Sequence, residues 1–314
     1  MTTPKIAVVG AGYWGRNLVR NFAALGGLGA IVDPRPDIAG PLSQQFGAPV
    51  LDLDAALMAP EIAGLAVAAP AETHADIALA AFAAGKHVYV EKPMALTVAD
   101  AERMLAASDK AGRALMVGHL LQYHPAFVTL LARVRAGDLG ELRTAYSHRL
   151  SLGKTRLEEN VLWSFAPHDV SMLLALFDAE PVRVSGAGGA FLTPGVEDEY
   201  RLDMRFANGA RAHVFSSWMH PFKEHRLVVA GDKAMAVFED SAKEGEKLRL
   251  YRHSFDKTRR PPEPAKAELE PIPFPKDEPL QQECAHFLEC IATGKRPRTD
   301  GAEGLRVLRV LTQV

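Results

Sequence analysis

The sequence predicts two folded parts in tandem. Residues 1–120 read as an α/β domain on a parallel sheet, and residues 121–314 as an α+β domain with a large, mostly antiparallel open sheet. Three observations carry this. The first half alternates short apolar runs with helical patterns, and repeated βα steps imply parallel strands covered on both faces. A glycine-rich turn, Gly10-Ala11-Gly12-Tyr13-Trp14-Gly15, joins the first apolar run to the first helical one. Beyond about residue 120 strand patterns follow one another, and Asn208-Gly209 is a hairpin signal because both residues tolerate positive φ.

Each element has its own warrant. Lys5–Val9 is a short apolar strand and Gly15–Leu25 a helix. Ala30–Val32 and Gly64–Ala68 are strands, and Gly85 stops a helix over Ala75–Ala84. His87–Val90 and Ala114–Val117 are strands flanking a helix over Ala99–Ala107. In the second part, Pro125–Arg135 is a helix and Glu141–Leu152 alternates like a half-buried strand. Pro167–Phe177 is a compact apolar helix with proline at its first position. Strands are expected at Val182–Gly186, Glu199–Phe206, Arg211–Trp218, Arg226–Ala230 and Ala234–Phe238. Residues 255–280, rich in proline and charge, read as a solvated loop with a short strand between. Helices return at Gln281–Ala292 and Gly301–Leu311, able to pack back on the first domain, and the chain stops inside a helical pattern.

Composition narrows the function classes. A chain that is 48% hydrophobic and 24% charged is an ordinary globular protein. A net charge of −2 gives no push towards nucleic acid or anionic membrane. No apolar run approaches the about 20 residues that span a bilayer. The N-terminus lacks the layout of a signal peptide. Cys284 and Cys290 stand six apart, which suits neither zinc nor a redox pair, so a cytoplasmic location is expected.

The glycine turn has the GxGxxG spacing directly after a strand and at a helix start. Gly10 makes the tight turn, Gly12 admits a pyrophosphate, and Gly15 lets helix and strand pack. Free N–H groups at the helix start receive the anion. Asp33, 18 positions after Gly15, ends the second strand, where a carboxylate bonds both ribose hydroxyls and repels a 2′-phosphate. This reads as a Rossmann domain for NAD. Arg35 leaves NADP open, since it could pair with a phosphate. Asp33 as a mere cap or turn residue is the competing reading.

Glu91-Lys92-Pro93 after a strand, and His168-Asp169 about 75 residues later, join this fingerprint. Ala69-Pro70-Ala71-Glu72-Thr73-His74, Ala84-Gly85-Lys86-His87, Phe287-Leu288-Glu289-Cys290 and Thr299-Asp300-Gly301 add to them. Together they resemble the Gfo/Idh/MocA oxidoreductase superfamily over essentially the whole chain. Residues 159–169, from Glu159-Asn160 to His168-Asp169, and Ser217-Trp218-Met219-His220-Pro221-Phe222-Lys223 resemble members acting on nucleotide-linked amino sugars. Among these the UDP-N-acetylglucosamine 3-dehydrogenases are the most similar. The resemblance implies NAD-dependent oxidation of a UDP-sugar 3-hydroxyl, feeding a partner aminotransferase in 3-amino-sugar synthesis for lipid A or other surface glycans. It implies cofactor contacts from Tyr13, Trp14, Ala69, Pro70, His74, Glu91 and Lys92 beside Gly10, Gly12, Gly15, Asp33 and Arg35.

Oxidising a secondary alcohol requires a base for its proton. Lys92 ends a parallel strand, the edge where such sheets place ligands, and a neighbouring nicotinamide cation would depress its pKa. His168 titrates near neutrality, and a helix start beside it would keep its imidazole neutral. Asp169 reads as a helix cap. Many family members carry Asp four residues before this histidine; here Ser164 stands there and can at most relay. For the substrate, Lys154, Arg156 and Lys223 suit a diphosphate, with Arg226 a further candidate. Glu159 and Asn160 suit hydroxyls or an acetamido group, and Tyr123 and His124 match positions that line the sugar pocket in the family. Each alone reads equally as a solvated charge or a packed aromatic. His119 and His124 lack the further ligands of a metal site. Another UDP-sugar, a free sugar or inositol remains open as substrate. A non-catalytic dinucleotide sensor would lack Lys92 or His168, and no helix-turn-helix or basic arm suggests a transcription regulator. The open sheet needs its second face covered, so a homodimer or homotetramer is expected.

Overall fold

The computed structural model describes residues 3–314 apart from 154, 158 and 244. The chain divides into two compact units. The first runs to Tyr123 and takes in Asp277–Thr312; the second spans His124–Lys276 with Gln313–Val314.

In the first unit, strands β1 (Lys5–Val9), β2 (Leu28–Val32), β3 (Ile62–Val67), β4 (His87–Glu91) and β5 (Leu115–Gly118) form a parallel sheet of order β2-β1-β3-β4-β5. Its helices are α1 (Gly15–Ala24), α2 (Pro36–Phe46), α3 (Leu53–Met58), α4 (His74–Ala83) and α5 (Val98–Ala111). Helices from the C-terminal segment, labelled α8 and α9 below, complete this unit. One sheet face buries Ile6, Val8, Ala66, Tyr89 and Met116 against Phe22 of α1 and against Leu280, Cys284 and Phe287. The Phe287 ring meets Phe22 edge-on with centroids 6.5 Å apart and tilts against Tyr89 at 6.0 Å, the geometry aromatic quadrupoles prefer. The sequence reading had no element at residues 36–46. Pro36 sits at the start of α2, where a missing N–H costs nothing, and Gly47 ends it in the left-handed region.

In the second unit, helix α6 (Pro125–Arg135), strand β6 (Leu142–Leu152) and helix α7 (Val161–Phe177) precede a run of strands. These are β7 (Pro181–Gly189), β8 (Glu199–Phe206), β9 (Arg211–Ser217), β10 (Met219–Gly231), β11 (Met235–Glu239), β12 (Leu248–Tyr251), β13 (Ser254–Asp256), β14 (Glu263–Ala265) and β15 (Leu269–Pro271). Then come α8 (Pro279–Thr293) and α9 (Gly301–Leu311) of the first unit. Eight strands form one sheet of order β15-β12-β11-β10-β6-β9-β8-β7, with β6 and β9 parallel and the other pairs antiparallel. Strands β13 and β14 pair by themselves inside the proline-rich stretch. Helix α7 packs on β6, β8 and β9. The opposite sheet face carries a row of half-buried rings: Tyr146 stacks on His213 at 5.3 Å, with His148 and Phe215 alongside.

Two expectations need correction here. Helix α7 begins at Val161, not at Pro167. Asn160 caps it by accepting a hydrogen bond from the Trp163 N–H at 3.1 Å, and Pro167 is carried within the helix. Strand β10 starts at Met219, because its pairing with β6 continues past Arg226 to Glu224 and Met219. No helix among the described residues is long and apolar enough to cross a membrane.

Candidate active site

The glycine turn leaves β1 with Gly10 at φ 84°. A Cβ on Gly10 would stand 2.7 Å from the backbone of Ala68, and one on Gly15 would stand 1.8 Å from the Gly10 carbonyl oxygen. Both positions therefore exclude any side chain. Gly12 differs: a Cβ there would meet only the Arg35 guanidinium, at 3.4 Å, so its backbone is open to close approach. Helix α1 begins with neither a side-chain cap nor an acid in its first turn. The local field is thus left positive. This cradle fits a dinucleotide pyrophosphate.

Asp33 follows β2, and its buried carboxylate accepts from the Ala11 N–H at 2.8 Å. Arg35 grips both oxygens, donating Nε to Oδ1 and Nη2 to Oδ2, each at 2.9 Å, while its backbone N–H reaches Oδ1 at 3.0 Å. The Arg35 hydrogen bond is the main reason the Asp33 carboxyl is held below the usual carboxylate range, against the opposing effect of burial. The Arg35 side chain is about half exposed, so a ribose diol can displace it from one oxygen without opening the core.

His74 lies at the start of α4. Its Nε2 stands 2.9 Å from the Ala69 carbonyl oxygen and its Nδ1 2.9 Å from that of Pro93. Burial pushes its pKa down, and the two carbonyls that its ring nitrogens face oppose that shift. His74 therefore ties the Ala69-Pro70 loop to the turn after Lys92. Lys92 is half-buried directly after β4, and the Lys92–Pro93 peptide is cis. Tyr13 is almost wholly exposed, whereas the Trp14 indole N–H donates to Glu91 Oε1 at 2.5 Å. Glu91 Oε1 also accepts from the Tyr89 hydroxyl at 2.9 Å, and that hydroxyl stands 3.1 Å from Glu283 Oε2 of α8. Tyr89 and Glu283 went unnoticed in the sequence, as did Arg149 below.

In the second unit, His168 lies two turns into α7, so the helix dipole acts on the turn after Asn160 rather than on this imidazole. Ser164 and His168, four apart, share one face of the helix. Asp169 is no cap. It is fully buried, accepting from Ser147 Oγ at 2.5 Å, Arg149 Nε at 2.6 Å and Arg149 Nη2 at 3.1 Å. This charge-assisted pair pins α7 to β6 and fixes the register of His168.

Several expected substrate residues are engaged elsewhere. Tyr123 is in the core of the first unit, its hydroxyl 3.1 Å from Thr299 Oγ1 and its ring under Arg298 at 4.9 Å. The buried His124 imidazole caps α6, accepting the Ala126 N–H at Nδ1, and pairs with Asp240 at 3.3 Å through Nε2. Both side chains are buried, with their polar atoms engaged within the protein. Asn160 spends its side chain on the α7 cap and, at 2.7 Å, on Glu197. Arg226 is held by Glu239 and Glu224. Arg156 pairs with Glu159 at 2.9 Å on a largely exposed loop, and Lys223 is exposed on β10. Lys154 lies outside the described residues. His119 bonds Glu303 at 2.6 Å. No group of three or more metal-ligating side chains gathers among the described residues.

The family described as "Oxidoreductase family, NAD-binding Rossmann fold" matches residues 4–119, and the GFO/IDH/MocA C-terminal domain matches residues 127–237. The chain is 27% identical to a UDP-N-acetylglucosamine 3-dehydrogenase of Acidithiobacillus ferrooxidans over 99% of its own length and 96% of the relative's. The solved structure of that enzyme superposes with a TM-score of 0.87, again over 99% and 96% of the two chains. An aldose-aldose oxidoreductase from Caulobacter crescentus, solved with glycerol, is 27% identical with a TM-score of 0.82 over 99% and 96%. An inositol 2-dehydrogenase of Rhizobium meliloti is 27% identical over 76% of each chain.

Proposed function

The chain belongs to the Gfo/Idh/MocA oxidoreductase family, and from that premise we propose that it is an NAD-dependent dehydrogenase of the 3-hydroxyl of a UDP-linked amino sugar, UDP-N-acetylglucosamine first among them. The observation that carries the substrate is the end-to-end similarity to the Acidithiobacillus enzyme, which bears that substrate in its name. NAD rather than NADP is supported by the buried carboxylate of Asp33, which a 2′-phosphate would have to face.

In this reading Gly10, Gly12 and Gly15 with the start of α1 hold the pyrophosphate, Asp33 holds the ribose, and Tyr13, Ala69, Pro70 and Glu91 flank the dinucleotide. When bound, the nicotinamide supplies a hydride acceptor. Lys92 polarises the substrate hydroxyl, and His168 takes its proton as general base. Ser164 relays at most, since a serine hydroxyl cannot serve as the base unaided. Lys154, Arg156 and Lys223 meet the diphosphate, and Glu159 the sugar. The 3-keto product then goes to a partner aminotransferase for amination in glycan synthesis, in the cytoplasm. The aromatic row of Tyr146, His148, His213 and Phe215 is the surface by which two copies pair as a homodimer or within a homotetramer.

The test is NADH formation at 340 nm with UDP-GlcNAc, UDP-GalNAc, the uronic-acid form, glucose and myo-inositol, with an aminotransferase and glutamate to trap 3-keto product. Turnover of UDP-GlcNAc enlarged by the trap is the expected result. Silence with every UDP-sugar and turnover of a free sugar or polyol would discard the substrate and keep the chemistry.

A further inference from the structure

Beneath the strand that ends in Lys92, two carboxyl groups share one phenol. Tyr89 and Glu91, two apart on β4, point to the same sheet face, where Glu283 descends from α8. Tyr89 and Glu283 are fully buried and Glu91 nearly so. Gly118 on β5 makes room for them: a Cβ there would stand 2.7 Å from the Tyr89 hydroxyl and 2.9 Å from Glu91 Oε2. The second Glu283 oxygen, Oε1, is buried with no hydrogen-bond partner.

One hydroxyl proton cannot serve two carboxylates. If both acids were ionised, Tyr89 would donate to one and turn a lone pair on the other at about 3 Å. The distances call for a second proton. Glu91 already accepts from Trp14 and Tyr89 and stands next to the ammonium of Lys92. Glu283 has no such support. The titratable groups that face it among the described residues are Tyr89, Glu91, Glu303 and the Tyr123 phenol, with Cys284 beside it, and none of these supplies a positive charge. Burial raises the pKa of both acids, and Glu283 is raised well above the carboxylate range.

We propose that Glu283 is held as the neutral acid and acts through Tyr89 as a positioning residue for the cofactor loop. The Glu283 proton is donated to the Tyr89 oxygen, Tyr89 donates to Glu91, and Glu91, left as the anion, holds the Trp14 indole. Trp14 lies between the second and third glycines of the phosphate loop, so the chain of donors runs from α8 to the cradle in one direction. It sets how firmly the loop is held, and therefore the affinity for dinucleotide rather than the rate of the chemical step. This rests on the reading that the loop binds NAD.

Two measurements test it. The first is the infrared difference spectrum of wild type minus Glu283→Gln at neutral pH, without cofactor. A protonated-carboxyl C=O band lost in the variant is expected, and its absence overturns the proposal. The amide of Glu283→Gln donates as the acid does, so NADH affinity should stay within about twofold of wild type. The second is a double-mutant cycle on NADH affinity. Tyr89→Phe is expected to weaken binding about tenfold with kcat nearly unchanged, and Trp14→Phe to add little in that background. Unaltered binding in Tyr89→Phe, or additive losses, would overturn the proposal. A wild-type protein that binds no dinucleotide would overturn the cofactor reading, while the infrared band still decides the proton.

Discussion

Lys92 and His168 carry the sharpest residue-scale expectations. Lys92→Ala and His168→Ala should keep NAD binding, and each should lose at least ~100-fold in kcat, the usual worth of a positioned acid or base. Initial rates beside a cofactor titration check both, and near-normal turnover in either removes that residue from the mechanism. Asp33→Ala should weaken NAD and narrow its advantage over NADP, read as the ratio of kcat/KM for the two cofactors. An unchanged ratio would sink the ribose assignment, whatever Arg35 then does. Residues such as Gly10, Gly15 and Asp33 were legible because their tasks are local: a turn, a close contact and a strand end lie within two dozen positions. Glu283 was not, since its partner Tyr89 is 194 residues away and nothing in a helix sequence marks an acid as buried. The internal partners of Tyr123 and His124 were equally out of reach of the sequence: their polar atoms meet Thr299, Ala126 and Asp240, and two of these three are more than 100 positions away.

At the scale of elements, α7 is the instructive one. Proline so often opens a helix that Pro167 was read as its start, yet Asn160 is the true cap and six further residues precede the proline. Asn160→Ala should cost about 1 kcal/mol. The stronger anchor is Arg149 with Asp169, buried between α7 and β6. Removing one partner leaves the other charged and unpaired, so Arg149→Met should lose about 3–5 kcal/mol. Urea unfolding measures both variants, and the second should also reduce kcat by disturbing His168. A loss below 1 kcal/mol in Arg149→Met would mean that the pair is not what holds the helix. The hairpin at Asn208-Gly209 was readable because Gly209 takes φ 83°. The β10 extension was not, because exposed Pro221 and Phe222 interrupt its alternation.

For the whole molecule, pH is the simplest lever. His87 and His225 are neutral in the fold, each pushed to about 4, chiefly by burial, with Arg113 and Arg149 respectively adding to it. An unfolded chain protonates its histidines near 6.5, so as pH falls from 6.5 to about 4 the unfolded state takes up protons that the folded state refuses. Stability is fully present above this window and declines through it. Thermal unfolding across that range should show a falling midpoint, and His87→Gln should flatten the slope. An equal slope in the variant would assign the decline to other groups.

Residues 277–312 have a temporal consequence. Leu280, Cys284, Phe287 and Leu288 belong to the same core as Ile6, Val8 and Phe22, so the unit that leaves the ribosome first stays unfinished until the final helices emerge. The second unit needs essentially one contiguous stretch, His124–Lys276. Since domains tend to fold as soon as they are complete, it is the later-made half that matures first. The earlier half waits with one apolar sheet face only partly covered, by α1 and α2 without α8. A fragment ending at Tyr123 should accordingly need a chaperone, or aggregate, where the intact chain does not.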